Sequence, residues 1–414
     1  MRCCDMDISQ VRREFPMLQT HMSGRPLIYL DTAATSHKPQ SVIEVMNHFY
    51  SEEYATVHRA VYELAAKATE TYSVVRRKVQ KFIHAKEEEE IIFTRGATES
   101  INLVASSFGK KYIHEGDEIL ISEMEHHSNI VPWQLLAEER GAILKWIPMQ
   151  ESGELDMQQF HKLLSEKTKI VSVAHIANST GTLNPIDEII EAAHAKGAKV
   201  LIDGAQAAGH MPINVQEIGC DFYAFSSHKM YGPTGVGVLY GKRELLEEMP
   251  PYQSGGDMID RVDLEGTTFQ KAPLKFEAGT PLIAQVIGFG EAIDFLERWN
   301  LEDVHAWEQR LLQKATKELQ AIPEVKIWGT APKKGAILSF TVGGLHALDI
   351  GTFMGLKGFA IRTGHLCAQP TLKHFGLCSL ARISFGIYST PEDVELFVKA
   401  LKETMLLLQP ELSY

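Results

Sequence analysis

No run of apolar residues in this 414-residue chain reaches the roughly 18 needed to cross a membrane. Its longest uncharged stretch, residues 170–186, is filled with Asn, Ser, Thr and His. Cysteine is scarce and odd in number: Cys3, Cys4, Cys220, Cys367 and Cys378. These form no CxxC pair, so the spacing supports neither a disulfide scaffold nor a zinc ribbon. Positive charge is short as well: 41 Lys and Arg stand against 53 Asp and Glu, a formal net charge of −12. No global field would draw such a chain to nucleic acid or an anionic membrane, although a local cationic pocket for one small anion is compatible with it. The 31 Gly and 17 Pro are scattered without a period, which excludes collagen-like and low-complexity sequence. The opening Met-Arg-Cys-Cys-Asp-Met-Asp lacks the apolar stretch of a secretory signal. A soluble, cytoplasmic protein with reduced thiols is the expectation.

What is present is an ordinary globular composition, 44% hydrophobic and 23% charged. The length suits an enzyme subunit of two or three domains. Between about residues 90 and 241 short apolar runs alternate with helix-period segments. Strands are expected at 91–93, 118–122, 142–147, 169–174, 199–202, 222–225 and 236–240, and helices at 131–140, 156–165 and 186–196. That alternation implies an α/β domain with a mostly parallel sheet flanked by helices, whose ligand chemistry gathers at the carboxyl ends of the strands. Beyond residue 281 come long helices at 281–299 and 301–321, strands at 336–342 and 381–385, and a final helix with Thr390 as N-cap and Pro391 in its first turn. Val394, Phe397, Val398, Leu401 and Met405 share one face of that helix, a core stripe. A smaller α+β domain therefore starts near residue 290. The acidic run 87–90 reads as a solvated turn.

Two strand ends carry the first chemical signal. One delivers Asp203 in Asp-Gly-Ala-Gln, and the other delivers Lys229 in Ser226-Ser227-His228-Lys229, 26 residues on. Most lysines are simply solvated, but this pairing fits pyridoxal phosphate chemistry, in which a Lys forms the Schiff base and an Asp pairs with the pyridinium nitrogen. The phosphate needs N–H donors, and Thr94-Arg95-Gly96-Ala97-Thr98 follows a strand and opens a helix. Read alone, that segment is equally a capped helix start. His126 and His127 follow another strand; no third ligand at metal-like spacing is near, so stacking on a pyridine ring suits His126 better than zinc, and His127 reads equally as a partly exposed polar residue. Cys367 lies in Arg362-Thr363-Gly364-His365-Leu366-Cys367-Ala368-Gln369-Pro370, a Gly/Pro-bounded loop expected to be mobile, whose cationic neighbours mark a reactive thiol. Cys220 and Cys378 read as core, and Cys3 and Cys4 as part of a frayed terminus. Arg382 interrupts an apolar strand, as a carboxylate clamp or an internal salt bridge would.

Together these residues resemble the group II cysteine desulfurases and selenocysteine lyases of pyridoxal phosphate fold type I, which are class V aminotransferase-like. The likeness runs from Tyr29-Leu30-Asp31-Thr32-Ala33-Ala34 through Glu125-His126-His127-Ser128-Asn129 and Phe276-Glu277-Ala278-Gly279-Thr280-Pro281 to the Cys367 loop. It implies a large cofactor-binding domain over 24–290, and a small domain over 291–414 with 1–23 packed on it. Lys229 would carry the cofactor, with Asp203 at the ring nitrogen, Gln206 at the ring hydroxyl and His126 stacked on the ring. Ala97, Thr98, Ser226 and His228 would hold the phosphate, and Thr280 the phosphate of a neighbouring subunit in a homodimer. Asn178 and Arg382 would hold the substrate carboxylate, with Arg362 and His58 nearby. The implied activity converts L-cysteine to L-alanine and passes sulfur, as a persulfide on Cys367, to an acceptor protein of iron–sulfur cluster assembly. Selenocysteine lyase is the nearest alternative, and an aminotransferase or other lyase of the same fold a more distant one. Leu366 stands where the family often has a second His, and Ser179-Thr180 replaces more apolar residues.

Overall fold

The computed structural model describes residues 7–408, so Cys3 and Cys4 lie outside the described residues. The apolar runs of the first half become the strands β1 (Ile91–Thr94), β2 (Glu118–Ser122), β3 (Ile143–Ile147), β4 (Thr168–Ala174), β5 (Lys199–Asp203), β6 (Phe222–Ser226) and β7 (Gly237–Gly241). Their order in one sheet is β1-β7-β6-β5-β4-β2-β3. Only β7 runs antiparallel, to both β1 and β6; the remaining pairings are parallel. Continuous hydrophobic runs suit such a sheet because both faces are covered, and every residue of β1, β2, β6 and β7 is buried. Edge strand β3 is the exception and exposes Ile143.

Two helices outside the alternating region cover one face: α1 (Glu63–Phe82) and α3 (Ile283–Glu297), while α2 (Ala97–Val104) starts at the end of β1. α3 is apolar nearly all round and is correspondingly sunk in the core. The last third builds an antiparallel sheet of β8 (Val325–Trp328), β9 (Ile337–Val342), β10 (Arg362–Gly364) and β11 (Leu380–Ser384), in the order β8-β9-β11-β10. Helices α4 (Leu301–Gln320) and α5 (Pro391–Leu408) close over it around Leu338, Phe340, Phe397 and Leu401. The expected cap of α5 is in place: Thr390 Oγ1 accepts from Asp393 N–H at 3.1 Å, and Asp393 accepts from Thr390 N–H at 2.9 Å. The N-terminal segment touches both parts. Phe15 packs edge-on against Tyr231, Phe295 and Tyr388, and Arg12 pairs with Asp393 at 2.7 Å.

Two local expectations need correction. Residues 87–90 form a 3-10 turn with a capping box, and Glu90 is buried, accepting from Lys86 N–H at 2.8 Å. Cys378 is exposed, not core. It sits in a coil where Leu380 and, partly, Leu377 take the inward positions. Cys220 is buried as expected. Among the described residues no helix is long and apolar enough to cross a membrane.

Candidate active site

The carboxyl ends of β1, β2, β4, β5 and β6 open on one cavity of about 220 Å³. β5 ends on Asp203, and β6 ends on Ser226 and runs into a 3-10 turn that carries His228 and Lys229. β2 leads to His126 and β4 to Asn178, while β1 turns through Gly96 into α2, whose first residues Ala97 and Thr98 line the wall. Gln206, Arg362, Cys367 and Arg382 complete the lining. A Cβ at residue 237 would come within 2.4 Å of the Gly96 Cα, so glycine is required for β7 to close against this turn. Ser226 Oγ accepts from Ala97 N–H at 2.8 Å, fastening the end of β6 to the start of α2. Gln206 donates to the Ala33 carbonyl at 2.9 Å.

Burial sets the electrostatics. It lowers the Lys229 amine to about 8, with Asp203 pulling the other way. Burial likewise raises the Asp203 carboxyl, opposed by the Ala205 N–H and by Lys229. His126 falls to about 3 through burial and the nearby Lys229 charge. Its Nδ1 accepts from Ser128 N–H at 3.1 Å, which places the proton of the neutral ring on Nε2. Burial and Lys229 bring His228 to about 4.

Arg382 is buried and donates to the Asn178 carbonyl at 2.9 Å and to Asp31 at 3.1 Å, so the internal salt bridge exists. Two polar atoms nevertheless stay buried without a partner, Arg382 Nε and Asn178 Oδ1. Such atoms are costly in a closed protein, and here they leave binding capacity beside the cavity.

Cys367 reaches the cavity from the other sheet. After β10 the chain turns through residues 365–368 into the helix Gln369–His374. Leu366 and Cys367 have φ of +56° and +54°, a left-handed conformation that costs a non-glycine residue about 1–2 kcal/mol. The turn expected to be mobile is fastened. Asn178 Nδ2 donates to the Leu366 carbonyl at 2.6 Å, and His127 N–H donates to the Cys367 carbonyl at 2.8 Å. His365 Nδ1 accepts from Cys367 N–H, and His127 Nε2 from Gln369 N–H, each at 3.1 Å. Leu366 packs on Leu372 and Leu380.

Of the residues singled out in the sequence, His58 and Thr280 do not line this cavity. Both are exposed. His58 stands edge-on to Tyr72 with ring centroids 5.6 Å apart, and Thr280 lines a separate recess with Arg95 and Glu99. Sequence reasoning overlooked Asp31 as the partner of Arg382. It also overlooked Glu125, fully buried at the end of β2 and raised to about 8 by burial. Glu125 accepts from Asn129 Nδ2 at 2.6 Å and Ala174 N–H at 3.0 Å, tying β2 to β4. An acid directly before His126 at an apolar strand end was the available signal.

A family model, aminotransferase class-V, matches residues 28–397. The cysteine desulfurase of Dickeya dadantii is 48% identical over 402 residues, covering 97% of this chain and 97% of its own. The cysteine desulfurase of Synechococcus elongatus is also 48% identical over 96% of this chain, and the probable cysteine desulfurase of Mycolicibacterium paratuberculosis 47%. The chain spans 63% and 58% of the lengths of these last two. Among solved structures, the cysteine desulfurase CsdA of Escherichia coli superimposes with a TM-score of 0.91 at 38% identity, over 97% of this chain and 99% of that one. The apo cysteine desulfurase of Thermococcus onnurineus NA1 gives 0.91 at 36% identity, over 97% and 98%. Proteins of this kind are pyridoxal phosphate-dependent. The cavity fits that cofactor: a helix first turn for a phosphate, an acid at a strand end for a pyridinium, a lysine, and a buried guanidinium with an unpartnered N–H.

Proposed function

Because the chain belongs to the aminotransferase class-V family and, within it, to the cysteine desulfurases, we propose that it converts L-cysteine to L-alanine and takes the sulfur as a persulfide on Cys367. The observation that carries this reading is the convergence of Lys229, Asp203 and Cys367 on one cavity from two different sheets. Atoms balance: L-cysteine and the Cys367 thiol give L-alanine and a Cys367 persulfide.

Lys229 would hold the cofactor, with Asp203 at the ring nitrogen, Gln206 at the ring hydroxyl and His126 against the ring face. Ala97, Thr98, Ser226 and His228 would hold the phosphate. When bound, pyridoxal phosphate supplies an electron sink for the bond changes at the substrate's Cα and Cβ. An amine brought down to about 8 is partly neutral near neutral pH, so Lys229 can both take and return the Cα proton. Arg382 and Asn178 would orient the substrate carboxylate, with Arg362 beside them. The Cys367 thiolate then attacks the substrate sulfur.

Thr280 and His58, exposed on one chain, would serve the site of a second subunit in a homodimer. A sulfur-acceptor protein of iron–sulfur cluster assembly and a cytoplasmic location complete the reading. The test is incubation of purified protein with L-cysteine and a reductant, with alanine and sulfide quantified together. Equimolar release, and borohydride fixation of the cofactor on the Lys229 peptide, are the expected results. Fixation on another lysine, or cysteine consumption without alanine, would overturn the proposal.

A further inference from the structure

We infer that His127, His365 and Cys367 form a three-ligand binding site for a thiophilic divalent metal, Zn²⁺ foremost, on the outer side of the nucleophile. One donor atom from each residue lies within 4.8 Å of the other two. A tetrahedral zinc with bonds of about 2.0–2.1 Å to nitrogen and 2.3 Å to sulfur needs donors about 3.3–3.7 Å apart, so closing the site takes shifts of about 1 Å. The two imidazoles stack with centroids 5.6 Å apart and planes at 26°. Each presents a lone pair, not an N–H, to the turn, since His365 Nδ1 and His127 Nε2 both accept backbone N–H groups there. A metal competes for those lone pairs and exchanges two weak amide hydrogen bonds for coordination.

The site is open to solvent. His365 is exposed, Cys367 is half-buried, and both imidazoles border an outer groove of about 1,100 Å³. Three protein ligands leave a fourth position for water or an incoming thiol. Binding replaces the Cys367 S–H bond with S–Zn, releases the proton to solvent and transfers no electrons. Arg362, Arg382 and Lys229 border the cavity beyond Cys367, and their positive charge opposes a dication. The affinity is therefore below that of a closed structural zinc site, and a chelator should strip the ion. The site stands on its geometry; its consequence, a capped and silent nucleophile, rests on the desulfurase reading.

The experiment uses tag-free holoprotein. One Zn²⁺ per chain should remain after gel filtration in metal-containing buffer and leave with EDTA. Co²⁺ should give a thiolate-to-cobalt charge-transfer band. Zn²⁺ should slow iodoacetamide alkylation of the Cys367 peptide at least tenfold and leave the exposed Cys378 unchanged. Cys367→Ser and His365→Ala should each weaken Zn²⁺ binding at least tenfold, with far-UV circular dichroism checking the fold, whereas Cys378→Ser should bind as wild type does. Absence of the cobalt band, unprotected Cys367, or undiminished binding by Cys367→Ser or His365→Ala would overturn the site. None of these readouts needs turnover, so a failed site and a failed desulfurase reading are seen separately.

Discussion

Cys367 owes its place to its backbone as much as to its sulfur. Two successive left-handed residues, Leu366 and Cys367, are held by Asn178, His127 and His365, so the thiol is presented at the cavity at the cost of local strain. Replacing the thiol tests its chemistry without disturbing those backbone bonds. Cys367→Ala should retain the cofactor's visible absorption but form alanine from L-cysteine about 100-fold more slowly or worse, because nothing remains to accept the sulfur. With L-selenocysteine the same variant should keep substantial activity, since selenium leaves more readily. Parallel losses on both substrates, together with a lower melting temperature, would instead mark Cys367 as a packing residue. Lys229, Asp203 and Cys367 were legible as residue types flanked by strands or small turn residues. Asp31 and Glu125 were not, because nothing in their local spacing says which distant group they will face.

At the scale of elements, the turn that leads to Thr280 depends on α1. Arg76 on α1 makes a two-pronged pair with Glu277 at 2.7 and 2.8 Å, and donates to the Ile91 carbonyl at 2.6 Å. Glu277 also accepts from Phe93 N–H at 2.7 Å, so a helix, a strand and a turn meet on one buried ion pair. Arg76→Ala would leave the Glu277 charge buried and uncompensated. A loss of about 3–5 kcal/mol, read from the denaturant midpoint, is expected. Double replacement by apolar residues of similar volume should recover much of it. By contrast Thr390→Ala, which removes only the hydroxyl that caps α5, should cost about 1 kcal/mol. That cap was legible because Thr-Pro before an apolar periodic run is a local signal. The Arg76–Glu277 pair spans 201 residues and has no local signature.

For the whole molecule, acid should destabilise the fold through its buried imidazoles. Burial holds His37, His175 and His228 near 4 and His126 near 3 in the folded protein, against an ordinary value near 6.5. Between those limits the unfolded chain binds more protons than the folded one, so stability falls as pH drops from about 6.5 toward 4. Glu125, raised to about 8, acts in the opposite sense between about 8 and 4.5. The raised carboxyls of Asp31, Glu90, Asp203 and Glu308 and the raised His210 act in that sense too. The lowered His58 and His127 join the four imidazoles, which are expected to prevail. Thermal melts of cofactor-free protein at pH 7 and pH 5 should show the lower midpoint at pH 5; an unchanged or higher midpoint would refute the balance. Assembly is the second test at this scale. Light scattering should give a dimer at assay concentrations, and Thr280→Ala should speed cofactor loss on dialysis while sparing turnover of the loaded enzyme. An active monomer would refute the shared site.

The sequence by itself determined the fold class, the strand ends and the identities of the chemically capable side chains. Those follow from short-range physics: apolar periodicity selects strand or helix, and small or rigid residues mark where the chain must turn. Only the tertiary structure decided which of those side chains meet. It brought Cys367 over from the small sheet, turned Cys378 outward, gave Arg382 a carboxylate partner while leaving one of its N–H groups free, and gathered His127 and His365 around Cys367. It also kept Thr280 and His58 out of the cavity of their own chain. These outcomes depend on packing between segments hundreds of residues apart, where shape and desolvation act and local spacing carries no information.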